Sequence, residues 1–541
     1  METDRPCEVQ VLGSTARTFT VHGHHYALVD VEGLEPGSRT PYTVRLDGAV
    51  AWPEPAGGFP PSVIRTYRPG AALKVLFGSC RTAVPHTPGF ERSHGVDVLR
   101  SMAIELASAA GGDGGDGGDG TGSASAPLPD LLLLLGDQVY ADEPSEQVRE
   151  FIRGRRDVSE PPGEEVVDYA EYACMYQLAW SEPLVRWLLS TVPSAMIFDD
   201  HDIRDDWNTS IAWRARMHRQ PWWNRRIVAG LGSYWVYQHL GNLSAAERRR
   251  DGIYTAVLAA SAGGGPDAPA DAGAALDEYA ERADRVPDSY RWSYHRDLDG
   301  TRLVVLDSRA GRVLDPGARS ILPARDWDWF GGLAVGGVDH LLIGTSLPYL
   351  LPKGLHYLES WDENVADGAW GRWAAKAAEA LRQGVDLEHW AAFRRSFERM
   401  ADTVTEVAAG RRGRAPASVV FLSGDVHYSY LARVTVPSGG AGVSAVYQAV
   451  CSPIRNPLSK PLRWANVVAS FGLAGFLGRL LALGARTPDT ALVWRLTGPP
   501  RFDNALGLLD VDGRSSTLRW LSPDPGGGGR ALREHDETKL A

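Results

Sequence analysis

From Lys74 onward the chain repeats one pattern, an apolar run of four or five residues that stops abruptly at a polar, reactive cluster. Lys74 to Phe77 leads into Gly-Ser-Cys80-Arg81, Leu131 to Leu135 into Gly-Asp137-Gln-Val-Tyr140, and Ala195 to Phe198 into Asp199-Asp200-His201-Asp202. Leu303 to Leu306 leads into Asp307-Ser-Arg309, Val419 to Leu422 into Ser-Gly-Asp425-Val-His427, and Val446 to Val450 into Cys451-Ser-Pro. Runs of this length and composition suit strands buried on both faces, and helical stretches between them predict an α/β fold. In such folds the loops past the strand C-termini hold the ligand, so the clusters are expected at one edge.

Ahead of this region, Val9 to Thr66 alternates over shorter runs broken by turn residues, which predicts a small β-domain over 1–68. Arg68-Pro69-Gly70 marks its boundary with a catalytic domain over 69–525, and 526–541 reads as a flexible tail. Ala110 to Ser125 is a glycine-rich, low-complexity stretch expected as a mobile surface loop, and Ser261 to Ala274 as a second flexible insert. Ala465 to Gly478 is apolar, yet shorter than the roughly 20 residues of a spanning helix, and is expected as a buried or lid helix. The tryptophans of Trp222-Trp223 and Trp327-x-Trp329 are expected in the core.

The candidate residues run from position 80 to 427 and must meet in space, so one large catalytic domain is expected in the 541 residues. A net charge of −11 argues against a broad nucleic-acid surface and implies that an anionic substrate meets a local positive centre. The four cysteines are scattered without paired spacing, and METDRPCEVQ carries neither a signal-peptide core nor a twin arginine, so a cytoplasmic location is expected.

The chemistry sits in the clusters. Asp137 and Tyr140 follow a predicted strand three residues apart; a carboxylate can bridge two cations, and a phenol becomes a ligand once a strongly acidic metal removes its proton, as ferric iron does. The alternative is a helix-capping Asp and a packed Tyr. Asp425 and His427 are expected to share one face of an extended segment with Val426 turned inward, and Gly424 to allow close backbone approach. A hydrogen-bonded core histidine is the bland reading of His427. Asp199, Asp200 and Asp202 crowd around His201 and need a cation or an arginine, for which Arg204 is at hand. Cys80 is either a thiolate ligand or a small buried thiol. Arg81 either clamps a phosphate oxygen or pairs with a carboxylate.

In order and spacing these motifs resemble the PhoD-like alkaline phosphatases of the metallophosphoesterase superfamily, over nearly the whole chain. The resemblance implies two facing mixed β-sheets flanked by helices, preceded by a small all-β immunoglobulin-like domain. It also implies an iron and calcium centre in which Cys80, Tyr140 and His427 hold Fe3+, Asp137 bridges, and Asp200 and Asp425 hold Ca2+, with Zn2+, Mn2+ or Mg2+ as other second metals. His201 falls at the superfamily's catalytic histidine. The sequence departs from the family in lacking the twin-arginine signal, in reading Asp-Asp-His-Asp for Asp-Asp-His-Glu, in its glycine-rich insert, and in having no histidine within Leu341 to Pro348.

The expected activity is hydrolysis of a small phosphoester by a hydroxide that the metals make available, with His201 and Arg81 as catalytic residues. The rival readings are a phospholipase-D-like phosphodiesterase, a zinc hydrolase of other esters, and a non-catalytic metal-stabilised binding module.

Overall fold

The computed structural model describes residues 1–54, 57–111, 128–264, 269–435, 443–458, 463, 472–524, 526, 529 and 531–541. The glycine-rich insert lies outside these residues, from 112 to 127.

The apolar runs form two mixed sheets. In the first, Ser194–Ile197, Leu131–Leu135 and Leu73–Gly78 lie parallel, and Leu506–Asp512, Ser515–Pro523 and Leu532–Lys539 continue the sheet antiparallel. In the second, Thr301–Leu306, His340–Thr345, Ser418–Ser423 and Ala445–Val450 form a parallel centre. Tyr294–Leu298 pairs antiparallel at one edge, with Tyr430–Thr435 and then Val493–Leu496 at the other.

Strand periodicity sorts the side chains into layers. Val75, Phe77, Leu133 and Leu135 of the first sheet share one core with Leu303, Val305, Val420 and Leu422 of the second, so the two sheets face each other. The alternate residues point outward. Leu76, Leu132 and Leu134 pack under the Val98–Gly111 and Pro183–Leu189 helices, while Val304, Ile343 and Phe421 pack under Ala324–Leu333 and Arg394–Ala408. A strand covered on both sides has no polar positions to spare, which is why these runs read as continuous apolar sequence.

The N-terminal strands form small antiparallel sheets with a modest core of Cys7, Val9, Val11, Ala27 and Val44. Phe19, Val21 and Tyr26 instead enter the core of the large body. The expected flexible insert at Ser261 to Ala274 is, over its described residues, a clasp for this region. Ser261 Oγ accepts from Thr20 N at 3.1 Å, and the Asp271 carboxylate accepts from His22 N and Gly23 N at 2.9 and 2.7 Å.

The expected tail is also ordered structure: Leu532–Lys539 is the edge strand on Ser515–Pro523. Its charged residues, such as Arg533, Glu534 and Asp536, suit a solvated edge, and that polarity disguised it as a tail. The apolar stretch near 465 to 478 is described only from Gly472, within the helix Gly472–Gly484. Among the described residues no helix is long and apolar enough to cross a membrane.

Candidate metal centre

The strand ends are stitched together by main-chain hydrogen bonds. Cys80 N donates to Gly136 O at 3.2 Å and Arg81 N to Asp137 O at 3.0 Å, while Gly424 N donates across to Ser346 O at 2.9 Å. The two sheets touch where Gly424 meets Ser79. A Cβ on Gly424 would stand 1.9 Å from Ser79 Oγ, so only glycine lets this loop reach its neighbour. Ser79 Oγ then accepts from Asp425 N at 3.0 Å and lies 3.1 Å from Cys80 Sγ.

Cys80, Asp137, Asp425 and His427 all have positive φ, at 56°, 50°, 67° and 58°. Left-handed backbone at four non-glycine residues is costly, and its clustering here is a mark of a functional site. It also corrects the expectation for Asp425 and His427. These residues are not an extended pair alternating with Val426; two left-handed turns, not strand periodicity, aim their side chains.

Three donor sets result among the described residues: Asp200, His201 and Asp205 form one at the partly open side, and the other two lie deeper. One ligand atom each from Cys80, Asp137 and His427 lies within 4.8 Å of the others, and so do atoms of Asp137, Asp199, Asp200 and Asp425. Asp137 belongs to both deeper sets. The Cys80 set is sulfur, nitrogen and oxygen, and the other is oxygen alone. Tyr140 is buried beside the Cys80 set, where its hydroxyl hydrogen-bonds with Cys80 and accepts from Asn456 Nδ2 at 3.0 Å.

Burial raises the Cys80 thiol and the Asp137 and Asp199 carboxyls well above their usual ranges, and neighbouring carboxylates add to the effect. Asp137 Oδ1 and Asp199 Oδ2 are buried without a hydrogen-bond partner among the described residues. A cation removes both penalties, so this donor set fits a metal pair.

Some of the surrounding groups escaped sequence reasoning. Arg309, at 0% exposure, sits among the carboxylates, with Nε 2.5 Å from Asp199, Nη2 3.1 Å from Asp200 and Nη1 2.5 Å from Glu388. Its loop is held by Asp307, whose carboxylate accepts from the amides of Arg309, Ala310 and Gly311 at 2.8 to 2.9 Å. Arg204, the expected neutraliser, is paired with Glu165 instead. Asp202 is likewise a brace, accepting from Asp137 N at 3.0 Å and Asp199 N at 2.8 Å.

His389 lies between Glu359 (2.6 Å) and Asp425 (2.9 Å). Although burial opposes ionisation of Asp425, the His389 hydrogen bond and Arg309 hold it down to about 2. Burial pushes His427 down to about 4, leaving a neutral imidazole suited to ligation.

His201 projects from the same loop as Asp200 and keeps 22% of its side chain exposed. Its Nδ1 lies 3.0 Å from both oxygens of Asp142, and its Nε2 faces outward toward Asp205 at 3.8 Å. Burial works against protonation, but Asp142 and Asp200 outweigh it and hold the imidazole charged well above its ordinary range. Asp142 was within reach of sequence reasoning, two residues past Tyr140. His389, Glu359 and Asn456 lie far along the chain with no motif around them.

Arg81 is a correction. Its guanidinium is buried against Asp97, with Nη2 at 2.8 Å, and Nη1 donates to Ala179 O at 2.9 Å. That spends the fork on a carboxylate and a carbonyl, which is the bland alternative weighed for it. Cys451 is also buried, in the core between the sheets.

Residues 121–256 match the family model of the PhoD-like phosphatases, and residues 1–64 match a domain of unknown function, DUF7800. The first match spans Asp137, Tyr140, Asp142, Asp200 and His201. No curated protein sequence matches the chain. Among solved structures, one titled "Structure of PhoD" is similar at TM-score 0.55 and 11% identity, covering 100% of this chain and 86% of that one. Another, GAP50, the anchor in the inner membrane complex of Plasmodium, gives TM-score 0.33 at 8% identity over 87% of this chain and 89% of that one, too low to carry an argument. Residues 121–256 thus carry the match to the PhoD-like phosphatases, and the fold along the whole chain is similar to that of the structure titled "Structure of PhoD".

Proposed function

We propose that the chain hydrolyses phosphoesters of small molecules at a two-cation centre. In this reading Cys80, Tyr140 and His427 would hold ferric iron, Asp200 and Asp425 would hold calcium, and Asp137 would be shared by the two. The observation that carries it is the sharing of Asp137 between a soft donor set and an all-oxygen one. Bound there, the cations supply Lewis acidity toward phosphoryl oxygens and a nucleophile at neutral pH.

The protein's own part is positioning and proton transfer. Asp142 fixes His201 by its Nδ1, so that the proton on Nε2 points to the open side. A phosphoester whose leaving oxygen lies on that side receives this proton as the P–O bond breaks. Burial raises Asp200, and Arg309 works against that while orienting it as an oxygen donor; His389 orients Asp425 and favours its ionised form. Ser79 and Ser452, whose hydroxyls lie 3.1 and 3.2 Å from Cys80 Sγ, stabilise its thiolate.

The test is elemental analysis of the purified protein with its visible spectrum, followed by turnover of mono- and bis-nitrophenyl phosphate. Iron near one per chain, a tyrosinate-to-iron charge-transfer band and activity on either ester are expected. A metal-loaded protein inert toward both esters would overturn the hydrolase reading; active protein free of iron would overturn the ferric assignment alone.

A further inference from the structure

The Gly472–Gly484 helix lies along the Lys353–Ala366 helix with the reverse of a surface helix's usual polarity. Its small residues face the protein: Gly475, Gly478 and Ala482 are buried, as is Ala485 just beyond the helix. A Cβ on Gly478 would stand 3.0 Å from Tyr357 Cβ, so the two helices approach as closely as glycine allows. The large apolar residues face out. Phe476, Leu477, Leu480, Leu481 and Leu483 are 46 to 58% exposed, at positions that form one helical stripe.

Trp370 and Trp373, on the segment that follows the Lys353–Ala366 helix, are 48% and 83% exposed. Trp370 Nε1 donates to Gly484 O at 3.1 Å, which ties this tryptophan to the end of the leucine-bearing helix. Continuous exposed apolar surface of this kind marks a docking site.

The charges around it choose the partner. Lys353, Arg372, Lys376 and Arg486 are exposed near this surface; Arg372, Lys376 and Arg486 pair with no carboxylate among the described residues, and Lys353 shares Asp489 with Arg479. The Lys376 ammonium sits 5.4 Å above the Trp373 ring. A cationic rim on a chain of net charge −11 favours an anionic surface, whereas a second copy would bring the same four cations together. Exposed tryptophans beside basic side chains and an apolar helix are the components of an interfacial membrane helix, and among the described residues no helix is long and apolar enough to cross a membrane.

We infer that the Gly472–Gly484 helix, with Trp370 and Trp373, docks the protein on an anionic lipid bilayer, lying in the plane of the headgroups. The Lys353–Ala366 helix beneath it carries Glu359, so the docking face and the candidate metal centre share a support.

The test is sedimentation of the full-length protein with vesicles of phosphatidylcholine alone or mixed with phosphatidylglycerol. The protein should pellet with the anionic vesicles, less so as salt rises. Leu477→Glu with Leu481→Glu should lower the partition coefficient about tenfold or more, because apolar contact is lost and like charge is added. Both residues are exposed, so circular dichroism and metal content should be unchanged. Failure of the wild type to pellet with anionic vesicles at low salt, or equal binding by the double variant, overturns the inference. A concentration-dependent dimer that the double variant abolishes, without vesicle binding, overturns it in favour of a second copy.

Discussion

Asp142→Asn isolates the part of the site that acts on protons rather than on cations. Asp142 meets His201 Nδ1 with both oxygens at 3.0 Å and is held below the usual carboxylate range against the cost of its own burial, chiefly by the charge of His201. A hydrogen bond between charged groups contributes about 1.5–3 kcal/mol, so loss of the charge should weaken the protonated imidazole by roughly one to two powers of ten in equilibrium constant. His201 is raised because Asp142 and Asp200 outweigh burial, so removing Asp142 lowers it. The protonated acid is then lost at lower pH than in the wild type. At alkaline pH kcat should fall about 10- to 100-fold, and the deficit should shrink as pH falls and the imidazole recharges. The assay is the pH–rate profile for nitrophenyl phosphate between pH 5 and 10, with iron and calcium content measured on the same sample. An alkaline limb at the wild-type position, with normal metal content, would refute the pairing as the source of the acid.

Arg309→Met leaves Asp199, Asp200 and Glu388 without their shared cation, and breaking a buried pair of this kind costs about 3–5 kcal/mol; denaturant unfolding of chelator-stripped protein should show this loss, and added calcium should restore part of it. Gly424→Ala places a methyl 1.9 Å from Ser79 Oγ, so overpacking of about 1–3 kcal/mol and weakened metal retention are expected; the Gly424→Ala/Ser79→Gly double variant should relieve the overpacking but not restore metal retention, because Ser79 Oγ no longer serves Cys80 and Asp425. His239 and His356 are pushed down to about 3 by burial, against 6.5 when exposed. Between those values the unfolded chain binds protons that the native chain refuses, so stability falls as pH falls, by about 1.4 kcal/mol per pH unit for each histidine. Replacing both with Gln should flatten the dependence of denaturant midpoint on pH between 6 and 4, and an unchanged slope would refute it.

The apolar runs were legible because a strand covered on both faces leaves its mark in every residue, and the reactive clusters were legible because each follows such a run directly. Their order singled out the clusters that hold Cys80, Asp137, Tyr140, Asp200, His201, Asp425 and His427, while the roles within them came from the family resemblance. Arg81 misled for the opposite reason: its neighbourhood in sequence is the site, but its guanidinium turns to Asp97, and no local pattern records that choice. The edge strand Leu532–Lys539 misled because its charges match a solvated edge as well as a tail.

What the sequence determined by itself is six of the apolar strands, the loops that follow them and the chemical types those loops carry, since each rests on contacts between near neighbours in the chain. What the tertiary structure alone decided is which groups share a space. Arg309 neutralises the acidic loop in place of Arg204, His389 and Glu359 orient Asp425 across 36 and 66 residues of chain, and Gly424 is fixed by Ser79 on the opposite sheet. These pairings depend on how two sheets face each other, and that packing is set by the sum of the core rather than by any segment that could be read alone.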